Sequence, residues 1–193
     1  WKLELSRYNY FSPAAGYGVS FLISFLLSGF IFYVLQQPEK LRLIVQEKTA
    51  ELENLAFHDE LTGLPNRRLL NAQLEQEIRD LLRYNKRGAL FFLDLDDFKR
   101  INDSMSHEAG DHLLQTIAQR LQNSLRKNDI VARLGGDEFA ALLLDIDSVD
   151  HVRKIAEKLL CSICKPMTLG KREVAISATI GITVIPDDGS DAN

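Results

Sequence analysis

No charged residue occurs between Arg7 and Glu39, and Ala14 to Leu35 is an almost unbroken apolar run. A helix of that length spans about 33 Å, against a bilayer hydrocarbon core of about 30 Å. Tyr8, Tyr10 and Tyr17 lie at one end and Tyr33 at the other, where interfacial aromatics are usually found. A buried helix in a soluble protein is the competing reading, yet few soluble cores need one this long and charge-free. A signal peptide fits less well, because the run is too long and no small-residue cleavage site follows it. The reading is a transmembrane helix over residues 14–35. Lys2 and Arg7 precede it, whereas Lys40, Arg42 and Lys48 follow, so the positive-inside bias narrowly places the C-terminal part in the cytoplasm.

The flanks add organisation. The chain opens on Trp1, and residues 1–13 read as the stub of an extracytoplasmic region of a longer protein. Ser20, Ser24 and Ser28 recur at every fourth position, either by chance or as a small-residue seam that lets two membrane helices approach closely. Residues 36–57 read as a signalling helix. Within it Leu41, Val45, Lys48, Leu52 and Leu55 follow the 4-3-4-3 spacing of a coiled-coil seam with one polar member, over barely two heptads. Together these features describe a two-stranded rod leaving a membrane.

The remainder, residues 58–193, has the composition of a folded domain. The chain is 46% hydrophobic and 26% charged with a net charge of −4, which argues against disorder and against a protein that coats nucleic acid. Two cysteines, Cys161 and Cys164, cannot form the disulfide framework of a small secreted fold. Asn66 caps a helix expected to run to about Lys86, and Gly88 to Asp94 reads as a buried strand. Glu108 to Leu125 reads as a second helix. Ile130–Leu134 and Glu138–Leu144 read as strands joined at Gly135-Gly136-Asp137, and Val149–Ile163 as a third helix. Glu173–Ile185 reads as one long strand or a bent pair. The class is therefore α/β or α+β with a mixed central sheet flanked by helices.

Acidic residues gather where these strands end. Asp94, Asp96 and Asp97 follow an apolar strand, Asp94 and Asp96 facing one way and Asp97 the other. Carboxylates beside a backbone carbonyl suit Mg²⁺, which takes oxygen ligands together with substrate phosphates. Asp137 and Glu138 follow two glycines that leave room for a triphosphate near the backbone. If the two strands are neighbours, both clusters converge in the layout of a two-metal phosphoryl-transfer site. Each cluster alone also reads as ordinary solvated turn carboxylates.

Arg133-Leu134-Gly135-Gly136-Asp137-Glu138-Phe139 resembles the signature of the GGDEF domain. Asp94, Phe98-Lys99, Asn102-Asp103, His107 and Gly110-Asp111 agree with the family's longer pattern, as does the opening Asp59-Glu60-Leu61-Thr62-Gly63-Leu64-Pro65-Asn66-Arg67. The resemblance covers about Phe57 to Asp188. It implies a fold similar to nucleotidyl cyclase and polymerase palm domains, and a diguanylate cyclase that condenses two GTP into cyclic di-GMP across a homodimer, at a bacterial inner membrane. It further implies that Asp94, the Leu95 carbonyl, Asp137 and Glu138 hold two Mg²⁺ (or Mn²⁺) ions. Phe98 and Lys99 would bind the substrate, Lys99 offsetting charge on the triphosphate, with Gly135 and Gly136 beneath the phosphates. Asn102 and Asp111 would read the guanine edge, and Asp137 would help deprotonate the attacking 3′-hydroxyl.

Arg126-Lys127-Asn128-Asp129 lies where the family carries its Arg-x-x-Asp product-inhibition site, so Arg126 and Asp129 are expected to bind cyclic di-GMP; a helix-end salt bridge is the alternative. Ser106 stands where the family usually has glycine, which implies strain if that turn needs φ > 0. The chain stops before the family's last helix, so the domain is expected to be incomplete at its C-terminus and the parent to continue, for example into an EAL-type phosphodiesterase domain. A GTP-binding regulatory domain serving such a phosphodiesterase is the alternative function. His107-Glu108 with His112 has the wrong spacing for a zinc-protease motif. Cys161 and Cys164 are expected to pack on their helix rather than bind metal.

Overall fold

A computed structural model of the chain describes residues 13–189, without the side chains at 13–16, 35–38 and 40. Lys2, Arg7, Tyr8 and Tyr10, nearly all of the expected stub, the Lys40 side chain and the last four residues lie outside the described set. The chain divides into two units, residues 1–52 and 53–193.

In the first unit the backbone is helical from Pro13 onward, as part of α1 (Pro13–Phe57). The window Tyr17–Val34 has a mean hydropathy of 1.9 and none of it is buried, so α1 is long and apolar enough to cross a membrane by length and composition. The membrane segment and the signalling helix, expected as separate elements, form one uninterrupted helix. Pro38 deletes one backbone donor without ending it. Leu41, Val45 and Leu52 are all more than half exposed, and Lys48 donates to Glu51 at 2.6 Å.

The second unit is layered. α2 (Arg67–Arg83) begins where the Asn66 carboxamide oxygen accepts from the backbone N–H of Arg68 and Leu69, at 3.0 and 3.1 Å. It ends at Arg83 with Tyr84 as its cap, short of the expected Lys86, because Asn85 turns left-handed at φ 52°. β1 (Gly88–Leu95), β2 (Ile130–Gly135), β3 (Glu138–Leu143) and β6 (Ala178–Ile185) form one sheet in the order β2-β3-β1-β6. α3 (Phe98–Ser104) and α4 (His107–Ser124) connect β1 to β2, and α5 (Val149–Ile163) leads from β3 toward β6. Between α5 and β6 lies a separate hairpin of β4 (Met167–Leu169) and β5 (Arg172–Val174).

Period-two alternation sorts the core. Phe91, Leu93 and Leu95 of β1 pack among Leu113, Ile117 and Leu121 of α4 and Leu159 and Ile163 of α5. Leu90 faces the other way, into a second cluster with Leu70, Leu74, Ile78 and Leu81 of α2. The class and the helix-flanked sheet match the expectation, but the sheet is antiparallel at all three described pairings rather than mixed in strand direction. The crossover through α3 and α4 carries β2 two positions away from β1, and β3 folds back to fill the gap.

Three local expectations change. Glu173–Ile185 is neither one strand nor a bent pair, because β5 belongs to the small hairpin and β6 starts afresh at Ala178. Ser106 is unstrained: it is extended at φ −175°, and its hydroxyl caps α4 by accepting from the Ala109 N–H at 3.2 Å. Cys161 and Cys164 are exposed, so neither packs against the core.

Candidate catalytic site

The register of β1 against β3 sets Asp94 directly opposite Glu138. β2 and β3 join through a tight turn in which Gly135 and Gly136 have φ 140° and 52°, values that favour glycine, and a bulge follows Arg133. Asp137 sits in this turn, and its carbonyl accepts from the Leu95 N–H at 3.3 Å. The two acidic clusters therefore meet at one end of the sheet. Burial, then the charges of Asp137, Glu138 and Asp96, push the Asp94 carboxyl above its ordinary value. The nearby compensating cation is Arg67, whose Nη2 lies 3.1 Å from Glu138 Oε2.

The turn is held from behind. Arg133 Nε and Nη2 donate to the Gly136 carbonyl at 3.1 and 2.8 Å, and Nη1 donates to both oxygens of Asp59 at 2.9 and 3.0 Å. Asp59 also accepts from the Thr62 N–H and hydroxyl. Burial alone would raise its pKa; the hydrogen bonds from Thr62 and Arg133, with the Arg133 charge, outweigh this and leave it below the ordinary value. The loop that follows α1 is thus tied to the acidic turn through one guanidinium.

The structure brings some expected residues together and leaves others apart. Asp94, Leu95, Asp137, Glu138, Gly135 and Gly136 share the sheet end. No group of three or more His, Cys, Asp or Glu side chains among the described residues is arranged to hold a metal ion, so the carboxylates do not form a closed cage. Two facing carboxylates, of which Asp94 is pressed by the charges of its neighbours, fit a cation that completes its coordination with carbonyl and phosphate oxygens. Phe98 is buried in the core, whereas Lys99 in the first turn of α3 is exposed and has no ion-pair partner among the described residues.

Asn102 and Asp111 come from different helices. Gly110 lets α3 and α4 approach: a Cβ there would lie 1.8 Å from Asn102 Oδ1. That oxygen is shielded from solvent and accepts no hydrogen bond, while the adjacent Asp111 is exposed. A buried acceptor without a donor is the kind of group a ligand N–H satisfies.

Arg126 and Asp129 do not pair through their side chains. Asp129 Oδ2 accepts from the Arg126 backbone N–H at 2.9 Å and Oδ1 from the Leu144 N–H at 3.3 Å, so the carboxylate staples the turn. The Arg126 guanidinium is left without a partner among the described residues. Both residues line a cavity of about 300 Å³, together with Gln73, Gln122 and Lys127. A second cavity, of about 340 Å³, has Arg67, Asp94, Glu138 and Thr179 in its wall.

Sequence reasoning missed Arg67, Gly110, Asp59 with Arg133 as a latch, and Ser177 and Thr179, whose hydroxyls donate to Asp96 at 2.6 and 3.0 Å. Arg67, Gly110, Asp59 and Arg133 lie inside motifs already visible; Ser177 and Thr179 carried no local signal.

Residues 56–193 match the family described as "Diguanylate cyclase, GGDEF domain". Over 139 residues the chain is 47% identical to MucR of Pseudomonas aeruginosa, named a bifunctional diguanylate cyclase/cyclic di-GMP phosphodiesterase, covering 72% of this chain and 20% of that protein. It is 40% identical over 155 residues to the diguanylate cyclase TpbB of the same species, covering 80% of this chain and 36% of the relative. A solved structure of the TpbB GGDEF domain superposes with a TM-score of 0.68 at 41% identity, covering 70% of this chain and 79% of that one. The chain belongs to the GGDEF family. It spans only a fifth to about a third of the length of these curated relatives.

Proposed function

We propose that this chain is the anchored, cyclic di-GMP-synthesising part of a larger signalling protein, a diguanylate cyclase of the bacterial inner membrane. The observation that carries this reading is Asp94 opposite Glu138 beside a glycine turn; the close approach of Asn102 to Gly110, next to Asp111, supports a guanine-reading pair on α3 and α4.

Asp94, the Leu95 carbonyl, Asp137 and Glu138 would hold Mg²⁺, with Mn²⁺ as a substitute; when bound, the ions neutralise charge on the triphosphate and favour an ionised 3′-hydroxyl. The Gly135-Gly136 backbone receives the phosphates without side-chain interference, and Lys99 offsets their charge. Asn102 Oδ1 and the Asp111 carboxylate accept from guanine N1–H and N2–H, donors that adenine does not present in that pattern. Asp137 takes the 3′-hydroxyl proton as that oxygen attacks the α-phosphorus of the second GTP. The bond from the α-phosphorus to the bridging oxygen breaks, and pyrophosphate leaves. The reciprocal step closes the ring, giving one cyclic di-GMP and two pyrophosphates.

One domain presents one GTP, so two copies must face each other. The exposed Leu41, Val45, Leu52 and Leu55 seam supports a homodimer, and Tyr17–Val34 supports a membrane span with the enzyme domain in the cytoplasm. Tethering two copies in one plane raises their effective concentration. Arg126 and Asp129 form the product site, where cyclic di-GMP inhibits. The similarity to MucR supports a parent chain that also carries an EAL-type phosphodiesterase domain. The regulatory-domain reading loses one of its two sequence motives, because Ser106 is an unstrained cap.

The test is the full-length protein in lipid vesicles with GTP and Mg²⁺. Cyclic di-GMP should form, and Asp137→Ala should stop its formation while GTP binding survives. A parent protein that binds GTP and forms no cyclic di-GMP would overturn the reading.

A further inference from the structure

β1 leaves the sheet at Leu95, and two opposed hydrogen bonds fix the chain there. The Leu95 N–H donates to the Asp137 carbonyl at 3.3 Å, whereas the next N–H, of Asp96, donates the other way, to the Ser177 carbonyl at 3.0 Å. A trans peptide aims its C=O opposite its N–H. The linkage between Leu95 and Asp96 therefore turns the Leu95 carbonyl away from Ser177, to the side of the acidic turn.

The Asp96 side chain is held as well. Its Oδ2 accepts from the Ser177 hydroxyl at 2.6 Å and its Oδ1 from the Thr179 hydroxyl at 3.0 Å. Ser177 thus grips Asp96 through both its carbonyl and its hydroxyl. Asp96 is the one carboxylate of the strand-end cluster that both hydroxyls satisfy, although its charge bears on Asp94. Ser177 and Thr179 lie outside the motifs named above, and they stand 81 and 83 residues from Asp96 in sequence.

We propose that Ser177 and Thr179 are positioning residues for the divalent-cation site: by clamping Asp96 toward β6 they present the Leu95 carbonyl to the cation and keep Asp96 from competing for it. This rests on the reading that Asp94, Leu95, Asp137 and Glu138 hold the metal. Groups that orient metal ligands commonly change affinity by about 10–100-fold when removed. With the hydroxyls gone, the Asp96 carboxylate swings free to compete for the cation, while the backbone bond from the Asp96 N–H to the Ser177 carbonyl remains.

The experiment titrates Mn²⁺ into the full-length protein, with free Mn²⁺ read by electron paramagnetic resonance. A GTP analogue with a non-cleavable bridge between the α- and β-phosphorus is present, so no turnover is involved. Ser177→Ala with Thr179→Val should weaken Mn²⁺ binding about 10-fold, with the metal-free melting temperature near the parent value. Ser177→Thr, which keeps the hydroxyl, should bind like the parent, and Thr179→Val alone, a swap of nearly equal shape, should show a smaller loss. If Asp94→Ala abolishes Mn²⁺ binding while the double variant and Thr179→Val both bind like the parent, the clamp is wrong and the metal site stands. If Asp94→Ala binds Mn²⁺ like the parent, the metal-site reading fails and the clamp with it.

Discussion

Arg133 Nη1 reaches both carboxylate oxygens of Asp59, at 2.9 and 3.0 Å, while the same guanidinium donates to the carbonyl of Gly136. One side chain therefore joins the loop after α1 to the glycine turn of the candidate site. The pair is largely shielded, with side chains 10% and 21% exposed for Arg133 and Asp59. Replacing Asp59 with alanine strands that cation, which should cost on the order of 3 kcal/mol, or roughly 10 °C in melting temperature for a unit of this size. The pH dependence has a definite sign. The Asp59 carboxyl lies below its ordinary value of 3.8 in the folded state, so its contribution is present above that value and is lost as pH falls through the folded pKa. Acid melts of the parent should steepen below about pH 4, and those of Asp59→Asn should lack that added steepness.

Ser106→Ala should lower stability by about 1 kcal/mol, because it deletes the hydroxyl that caps α4. Ser106→Gly should cost only a few tenths of that, about 0.3 kcal/mol, with no gain from relieved strain. Urea melts of the three proteins check the order; a stabilising glycine would show that the turn at 106 is strained after all.

Much of the fold and site was legible because the signals were local. The capping Asn66, the hairpin at Gly135-Gly136 and the bounds of α5 all follow from residues adjacent in sequence. The strand direction did not: nothing near Gly88–Leu95 shows that β3 inserts between β1 and β2. α3 escaped because Phe98–Ser104 is too short to display a helical period. The strain expected at Ser106 is absent for a different reason, since a family habit of glycine does not by itself require positive φ, and the turn here is extended. Ser177 and Thr179 could not be seen, because their contact with Asp96 exists only after β6 pairs with β1.

Gly110→Ala places a methyl group where Asn102 Oδ1 now sits, 1.8 Å from the Cβ position. Asn102 must move, so KM for GTP should rise at least about 10-fold, the scale of one lost hydrogen bond to a buried group. Preference for GTP over ATP should narrow alongside it. A parent-like KM would mean that the guanine edge is read elsewhere.

Arg126→Ala should relieve inhibition by cyclic di-GMP while the initial rate stays near that of the parent, since Arg126 lines a cavity that contains none of the acidic cluster. Progress curves with and without added cyclic di-GMP read this directly. Equal inhibition of both proteins would assign the cavity no part in feedback.

The central claim is that two copies, each carrying one GTP, make cyclic di-GMP together. Mixing the full-length parent with increasing amounts of the Asp137→Ala variant in the same vesicles, at constant total protein, tests it most directly. Mixed pairs lack one of the two groups that the paired reaction needs. The rate of cyclic di-GMP formation per parent copy should therefore fall in proportion to the parent fraction. A rate per parent copy that stays constant across the series would contradict the account, because it would show that one copy suffices.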